Sequence, residues 1–265
     1  MKKILLLFFI IYNSLIFTSC KSYNKVLKSD NYTAKFQMAD ELYNDGQELR
    51  SIELYEQIYQ RMPKTNEGEL SYFRIGKGYY LAGDYYMAGY YLGQFFQRFS
   101  MSQKSEEALF LSAMCSVQNS PDFSLDQNET DIAINDLQQF IDRFPSSKLV
   151  DSCNVIIDKL RFKLEKKDFY AVKLYSQTEN YRAATSAAIT FLNDYPISIY
   201  KEEVSYLLVK NSYFLSKNSI ESKKKDRIEK TIERYYNFVA SFPNSVFTDV
   251  VSNYYKQIEL DKIKN

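Results

Sequence analysis

The amino-acid sequence predicts an all-α solenoid built from about five helix pairs and a capping helix. The main observation is a hexapeptide that recurs five times, as IYQRMP at 58–63, FFQRFS at 95–100, FIDRFP at 140–145, FLNDYP at 191–196 and FVASFP at 238–243. The last positions of successive copies lie 37, 45, 51 and 47 residues apart. Each interval holds two helices and a turn, and self-similarity at this period is typical of helical repeat proteins.

Each hexapeptide has the pattern of a helix C-terminus. Its first and fifth residues are apolar and four positions apart, which places both on one helical face. In four of the five copies proline follows at once. Proline cannot continue a helix because it lacks an N–H and its ring clashes with the preceding turn.

The composition fits a helical protein and argues against several kinds of catalytic site. The 265 residues are 45% hydrophobic and 25% charged, with only seven glycines, five prolines and no histidine. Without histidine, most hydrolase triads and zinc sites are excluded. The net charge of +1 gives no global field that would attract nucleic acid or an anionic membrane.

The N-terminus has the pattern of an export signal. Lys2 and Lys3 precede the apolar stretch 4–11, and small residues lead to Cys20. This arrangement resembles a bacterial lipobox, so we expect 1–19 to be a lipoprotein signal peptide and Cys20 to be lipidated. Residues 20–31 would then form a polar, lipidated tether. Ordinary secretion with cleavage nearby is the alternative.

Laying the 34-residue tetratricopeptide (TPR) template back from each hexapeptide gives the register of the repeats. The template has small residues at positions 8 and 20, where the two helices are in contact, and glycine at position 15, where helix A ends. The residues at these places are Ala39, Gly46 and Ser51 in repeat one, and Gly76, Gly83 and Ala88 in repeat two. Position 27, usually alanine, is isoleucine or phenylalanine in every copy.

The later repeats carry insertions. In repeat three, Ala113 and Ala133 take the small positions, and 121–129 lengthens the turn between its helices. No proline or glycine interrupts 147–178, so an extra helical stretch can run into helix A of repeat four, whose helix B carries Ala184. We therefore divide the chain into repeats one to three at 32–145 and repeats four and five with a capping helix at 146–262.

Repeat five and the remaining cysteines complete the interpretation. We expect helix A near 201–217, a basic linker at 222–226, helix B near 227–240 and a closing helix at 245–262. Cys115 and Cys153 lie in helical apolar patterns and are interpreted as small buried hydrophobes. An exported compartment would also permit a disulfide.

The residues resemble those of component D of the outer-membrane β-barrel assembly machinery, the BamD family. The similarity is strongest over 106–115, 121–127 and 130–145, and it returns at 168–184; the Leu-Asp-Gln insertion at 125–127 is its most specific part. The resemblance implies a lipid-anchored scaffold on the periplasmic face of the outer membrane. Its C-terminal half would bind the periplasmic domains of the barrel-forming assembly protein. Its N-terminal repeats would receive the C-terminal segment of unfolded outer-membrane proteins.

A peptide groove has an independent basis in the repeats. Positions 2, 5, 9 and 12 of helix A line the concave face of a TPR solenoid, and a groove of aromatic rings and charges suits an extended peptide that ends in an aromatic residue and a carboxylate. Lys77 is the cation that we expect to pair with that carboxylate. Each aromatic residue could instead pack between repeats. The predicted groove residues are Phe36, Asp40, Tyr43, Phe73, Lys77, Tyr80 and Phe110.

Three other functional classes fit the sequence less well: glycan-capturing lipoproteins, generic TPR adaptors and enzymes. Glycan-capturing helical lipoproteins favour tryptophan, which this chain lacks. A generic TPR adaptor of the cell envelope remains an alternative. For an enzyme, the sequence offers no phosphate loop and no metal-spaced cluster, and adjacent carboxylates such as Glu106 and Glu107 read as solvated helix surface. We expect no catalytic residue, metal or cofactor.

Overall fold

A computed structural model describes residues 22–264. The predicted signal peptide 1–19 and the lipidation site Cys20 lie outside this range. Every regular element within 22–264 is a helix. In chain order the helices are α1 (22–27), α2 (Tyr32–Asn44), α3 (Glu48–Arg61), α4 (Asn66–Leu81), α5 (Tyr85–Arg98), α6 (Ser105–Asn119), α7 (Asn128–Arg143), α8 (Val150–Gln177), α9 (Tyr181–Asp194), α10 (Lys201–Lys217), α11 (Glu221–Ser241) and α12 (Thr248–Lys264).

The described chain forms two compact units. The first runs to Asp122 and includes Asp126–Ile157; the second comprises Phe123–Leu125 and the residues from Asp158 onward. In the first unit, helices α2 to α6 each pack against the next helix in the chain. In the second, α9, α10 and α11 pack in sequence, and α12 closes against α10 and α11. The repeat boundary that we place at 145/146 remains a prediction.

The five hexapeptides end five helices, as the sequence predicts. Helices α3, α5, α7, α9 and α11 stop at Arg61, Arg98, Arg143, Asp194 and Ser241, two residues before the proline or serine. In every copy the next residue donates its N–H to the carbonyl of the first hexapeptide residue. Those first residues are almost completely buried: Ile58, Phe95, Phe140, Phe191 and Phe238. The large residue at position 27 is therefore the core anchor of each pair.

The small and glycine positions of the template also hold. Ala88, Ala133 and Ala184 are fully buried at helix contacts. Gly46 and Gly83 have φ of 71° and 81°, the left-handed conformation that ends a helix. The all-α TPR fold is confirmed.

The long helix of repeat four is confirmed as well. Helix α8 is continuous over 28 residues, and the turn between α6 and α7 is lengthened in repeat three. Cys115 and Cys153 are both free and buried. Burial raises the pKa of the Cys115 thiol to about 12.

The predicted basic linker at 222–226 is wrong. These residues are the first turns of α11, which begins at Glu221. The sequence 221–241 contains no glycine or proline, and Lys224 pairs with Glu221 at 3.3 Å and Lys230 with Asp226 at 2.9 Å. Such pairs three and four residues apart support a helix.

The predicted tether also contains structure that the sequence pattern did not show. Residues 22–27 are helical, and Tyr23 is buried against α3. Its hydroxyl donates to the Arg50 carbonyl at 3.2 Å, and the Arg50 guanidinium lies 4.2 Å from its ring centroid. The Lys35 ammonium donates to the Leu27 carbonyl at 3.0 Å, which ties the end of α1 to α2. Val26 and Leu27 also pack against the core, so Tyr23, Val26 and Leu27 form a short apolar stripe that these two polar contacts hold in place.

Candidate functional site

The predicted groove residues lie on α2, α4 and α6, the A helices of the first three repeats. Asn31 and Thr65 begin α2 and α4, because their side chains accept the N–H groups of Ala34 at 3.0 Å and Gly68 at 3.1 Å. In both helices the residues at template positions 5, 9 and 12 are spaced four and three apart, so they share one helical face.

In repeat one the three predicted residues meet around Tyr55 and Arg74. Asp40 accepts a hydrogen bond from the Tyr55 hydroxyl at 2.6 Å and forms an ion pair with Arg74 of the next A helix. Phe36 and Tyr43 pack edge-on against the Tyr55 ring at 6.2 and 6.3 Å. Burial, followed by the hydrogen bond to Asp40, raises the pKa of Tyr55, so its hydroxyl stays protonated.

In repeat two, two cations share one aromatic ring. The ammonium groups of Lys77 and Lys104 lie 5.8 and 5.2 Å from the centroid of Phe73. Lys77 also pairs with Glu107 of the next A helix at 2.6 Å, with both side chains about a third or more exposed. Phe73 itself is only 3% exposed and packs edge-on against Phe95. The Phe73 ring therefore contacts the two ammonium groups from the protein interior and does not form an exposed wall of the groove.

The remaining two predicted residues are half-buried. Tyr80 packs edge-on against Tyr85, with ring centroids 5.6 Å apart. Phe110 of repeat three contacts the core residue Phe140 at 5.5 Å. The structure therefore brings Asp40 and Tyr43 together with Arg74, and Phe73 and Lys77 together with Lys104 and Glu107, whereas Phe110 packs toward its own helix pair.

Sequence reasoning missed three charged residues at this face: Arg74, Lys104 and Glu107. Glu107 could have been found, since it takes position 2 of repeat three when Phe110 takes position 5. Glu107 is partly exposed, as the sequence predicts, but it also forms an ion pair with Lys77, which the sequence did not indicate. Glu106 is exposed and accepts a hydrogen bond from Ser147. Arg74 and Lys104 lie outside the four template positions, so the template gave no signal for them.

The charges at this face are mostly paired between neighbouring A helices. Asp40 forms an ion pair with Arg74, and Glu107 forms one with Lys77. Lys104 forms no ion pair with any residue in the range 22–264. It is therefore the cation among these residues that remains available to an anionic ligand.

Neither a metal-ion site nor a membrane-spanning helix occurs among the described residues. Within 22–264 there is no group of three or more histidine, cysteine, aspartate or glutamate residues placed to hold a metal ion. No helix in that range has the length and apolar character needed to cross a membrane.

A family model for outer membrane lipoproteins, YfiO, matches residues 28–196 of the chain. The chain belongs to the YfiO family of outer membrane lipoproteins. The match spans more than half of the chain and confirms the resemblance drawn from the sequence. It contains all seven predicted groove residues and ends before α10, so α10, α11 and α12 lie outside it.

Comparison with solved structures finds TPR-like repeats of a putative kinesin light chain from Podosopora anserina. The first crystal structure has 11% sequence identity and a TM-score of 0.33, and the match covers 82% of this chain and 100% of that chain. A single-substitution variant of the same repeats, with methionine in place of a glutamine, has 12% identity and a TM-score of 0.33, with 80% and 96% covered. None of the curated proteins compared with the chain matches it.

Proposed function

We propose that this YfiO-family chain is a lipid-anchored scaffold of outer-membrane β-barrel assembly. In this proposal the A-helix face of repeats one to three binds the C-terminal segment of unfolded outer-membrane proteins. Repeats four and five bind the periplasmic domains of the barrel-forming assembly protein. The chain holds its ligands and catalyses no reaction. Cys20 carries the lipid that anchors it at the periplasmic face of the outer membrane.

The observation that carries the peptide proposal is the pair of lysines over Phe73. An extended peptide that ends in an aromatic residue presents one ring and one carboxylate. Lys104, which has no ion pair within 22–264, supplies a cation for the carboxylate, and Lys77 lies over the same ring. The half-buried rings of Phe36, Tyr43 and Tyr80 offer partly exposed aromatic surface on the same helices for the peptide's side chains.

Exposed apolar residues in the second unit support a partner surface there. Leu174, Tyr170 and Tyr175 of α8 are 57%, 47% and 40% exposed. Phe123 packs against Tyr170 at 5.1 Å and helps to wall a groove of about 620 Å³. Clustered exposed apolar side chains of this kind mark protein-binding surfaces.

Peptide titration on the mature chain from residue 21 tests the groove. The peptide ends in phenylalanine, either with a free carboxylate or as an amide. We expect the free acid to bind about 1.4- to fivefold more tightly, since an exposed charge pair contributes about 0.2–1 kcal/mol. Higher salt should reduce this difference because it screens exposed charges.

Three variants and one control sharpen the test. Lys104→Gln and Lys77→Gln should each weaken binding of the free-acid peptide about 1.4- to fivefold. Glu107→Gln should strengthen it, because it removes the carboxylate that competes for Lys77. Lys64→Gln, an exposed lysine in the turn after Pro63, is the matched control and should change nothing.

The outcomes separate the two roles. Equal affinity for acid and amide would remove the lysines from the mechanism. No peptide binding at all would leave only the scaffold role. That role is tested independently: the native lipoprotein, captured from solubilised membranes, should carry the assembly protein in stoichiometric amount, with or without Lys77→Gln.

A further inference from the structure

A second polar cleft lies in the second unit, between α9, α10 and α11. It has a volume of about 260 Å³, somewhat below the roughly 300–1,000 Å³ of pockets for drug-sized ligands. Four cationic side chains and one carboxylate line it, together with hydroxyl groups. The cations are Arg182, Arg227, Lys230 and Arg234. Three of them follow one another on the same face of α11, at positions i, i+3 and i+7.

Arg234 is the most unusual of these residues. Its side chain is half-buried, and one guanidinium nitrogen donates to the Ser212 hydroxyl at 2.6 Å. Among the described residues it has no ion-pair partner within 4.0 Å. Burial lowers the pKa of Arg234, an effect that nearby Glu233 and Asp226 only partly oppose. A partly buried guanidinium without a carboxylate is costly, and an anion in the cleft would compensate it.

The rest of the lining offers no free anion among the described residues. Asp226, the carboxylate of the cleft, is paired with Lys230 at 2.9 Å. Arg182 forms no ion pair within 22–264 and lies in the first turn of α9, where the helix dipole adds positive potential. The hydroxyl of Thr185 is buried, lines the cleft and has no hydrogen-bond partner. Several donors thus converge on one small space with positive charge in excess.

We propose that this cleft binds a phosphate group. A single carboxylate would neutralise one of the excess positive charges, whereas a phosphate monoester brings a charge of about −1.5 to −2 and three strong acceptor oxygens. Arginine forks match phosphate oxygens in geometry. The phosphate could belong to a lipid headgroup or to a free phosphate compound. Because α11 lies beyond the family match, three of the four cations are outside what the family model describes.

Calorimetric titration of the full chain, purified in a neutral detergent, tests the proposal. The probes are inorganic phosphate, a short-chain phosphatidic acid and, at equal ionic strength, chloride. We expect one phosphate bound per chain and no saturable binding of chloride. Arg227→Gln and Arg234→Gln should each raise the Kd about tenfold, the effect of losing one charge-assisted hydrogen bond.

Two further variants change exposed residues only, so a loss of binding cannot be attributed to misfolding. Ser186 is exposed at the mouth of the cleft, so Ser186→Asp places a carboxylate there without disturbing the core and should abolish binding. Lys225→Gln changes an exposed lysine on another face of α11 and should leave the Kd unchanged.

The outcomes test whether the cleft binds phosphate and which kind of molecule carries that phosphate. Phosphatidic acid binding at least tenfold more tightly than inorganic phosphate, with the same response to Ser186→Asp, assigns the site to a lipid headgroup. Equal binding of the two assigns it to a free phosphate compound. Phosphate binding no better than chloride, binding that Ser186→Asp leaves intact, or tighter binding of a polyglutamate peptide than of either phosphate probe would overturn the proposal.

Discussion

Replacing Glu179 with glycine should stabilise the protein. Glu179 has φ of 58° and is the non-glycine residue with positive φ in the range 22–264. It occupies template position 15 of repeat four, where repeats one and two have Gly46 and Gly83. In all three repeats the following residue donates its N–H to a carbonyl five residues earlier, for example Asn180 to Tyr175 at 3.0 Å. The backbone motif is the same, and of these three repeats only the fourth builds it without glycine.

The magnitude follows from the backbone alone. A residue with a β-carbon pays about 1–2 kcal/mol in the left-handed conformation. Glycine avoids this strain, but it also increases the conformational entropy of the unfolded chain, which offsets about 0.4–1 kcal/mol of the gain in stability. We therefore expect Glu179→Gly to raise the free energy of unfolding by about 0.5–1 kcal/mol. Gly83→Ala should lower it by a similar amount, since a β-carbon there would meet no atom within 4 Å and the cost is purely conformational.

Urea unfolding followed by far-ultraviolet circular dichroism measures the effect. The expected midpoint shift for Glu179→Gly is about 0.2–0.5 M. Glu179→Ala is the matched control, because it removes the carboxylate and keeps the strained backbone. If the glycine variant is no more stable than the alanine variant, left-handed strain at residue 179 is not the cause and the reasoning fails.

Three further predictions concern the core, a thiol and the anchor. Phe140→Ala should lower the free energy of unfolding by about 3–5 kcal/mol, because the ring is fully buried, whereas Phe140→Leu should cost much less in the same urea experiment. Cys115, whose pKa is raised to about 12, should resist iodoacetamide at pH 8 until urea unfolds the chain. Since the unfolded thiol ionises near 9.0, stability should also fall as the pH rises from 9 toward 12. Cys20→Ala should release the chain from the membrane fraction on sedimentation; retention after its partners are stripped would contradict lipid anchoring at that residue.

Local chemistry explains which parts of the fold could be predicted from the sequence. Helix ends at the hexapeptides follow from proline and from an apolar pair four residues apart, and both signals lie within a single hexapeptide. The linker expected at 222–226 failed for the opposite reason. A run of charges was interpreted as a break, although nothing in it stops a helix and Glu221 and Asp226 supply partners for lysines one turn away.

The candidate site was only partly predictable because its geometry depends on neighbours far along the chain. The template placed Lys77 on the correct face, but Glu107, its partner, is 30 residues away. It also placed Phe73 there, and only the packing shows that this ring is buried against Phe95. Periodicity assigns a residue to a face; it does not give the depth of the side chain or its ion-pair partner.

The paired charges at the A-helix face have a consequence for the proposed peptide binding. Arg74–Asp40 joins α2 to α4, and Lys77–Glu107 joins α4 to α6, so each pair links consecutive repeats. A peptide carboxylate that recruits Lys77 must compete with Glu107. The competition is mild, because the pair is a third or more exposed and such pairs contribute only about 0–1 kcal/mol. A carboxylate bound to Lys104 and shared with Lys77 would therefore be held weakly and released readily, as a scaffold that passes its substrate onward requires.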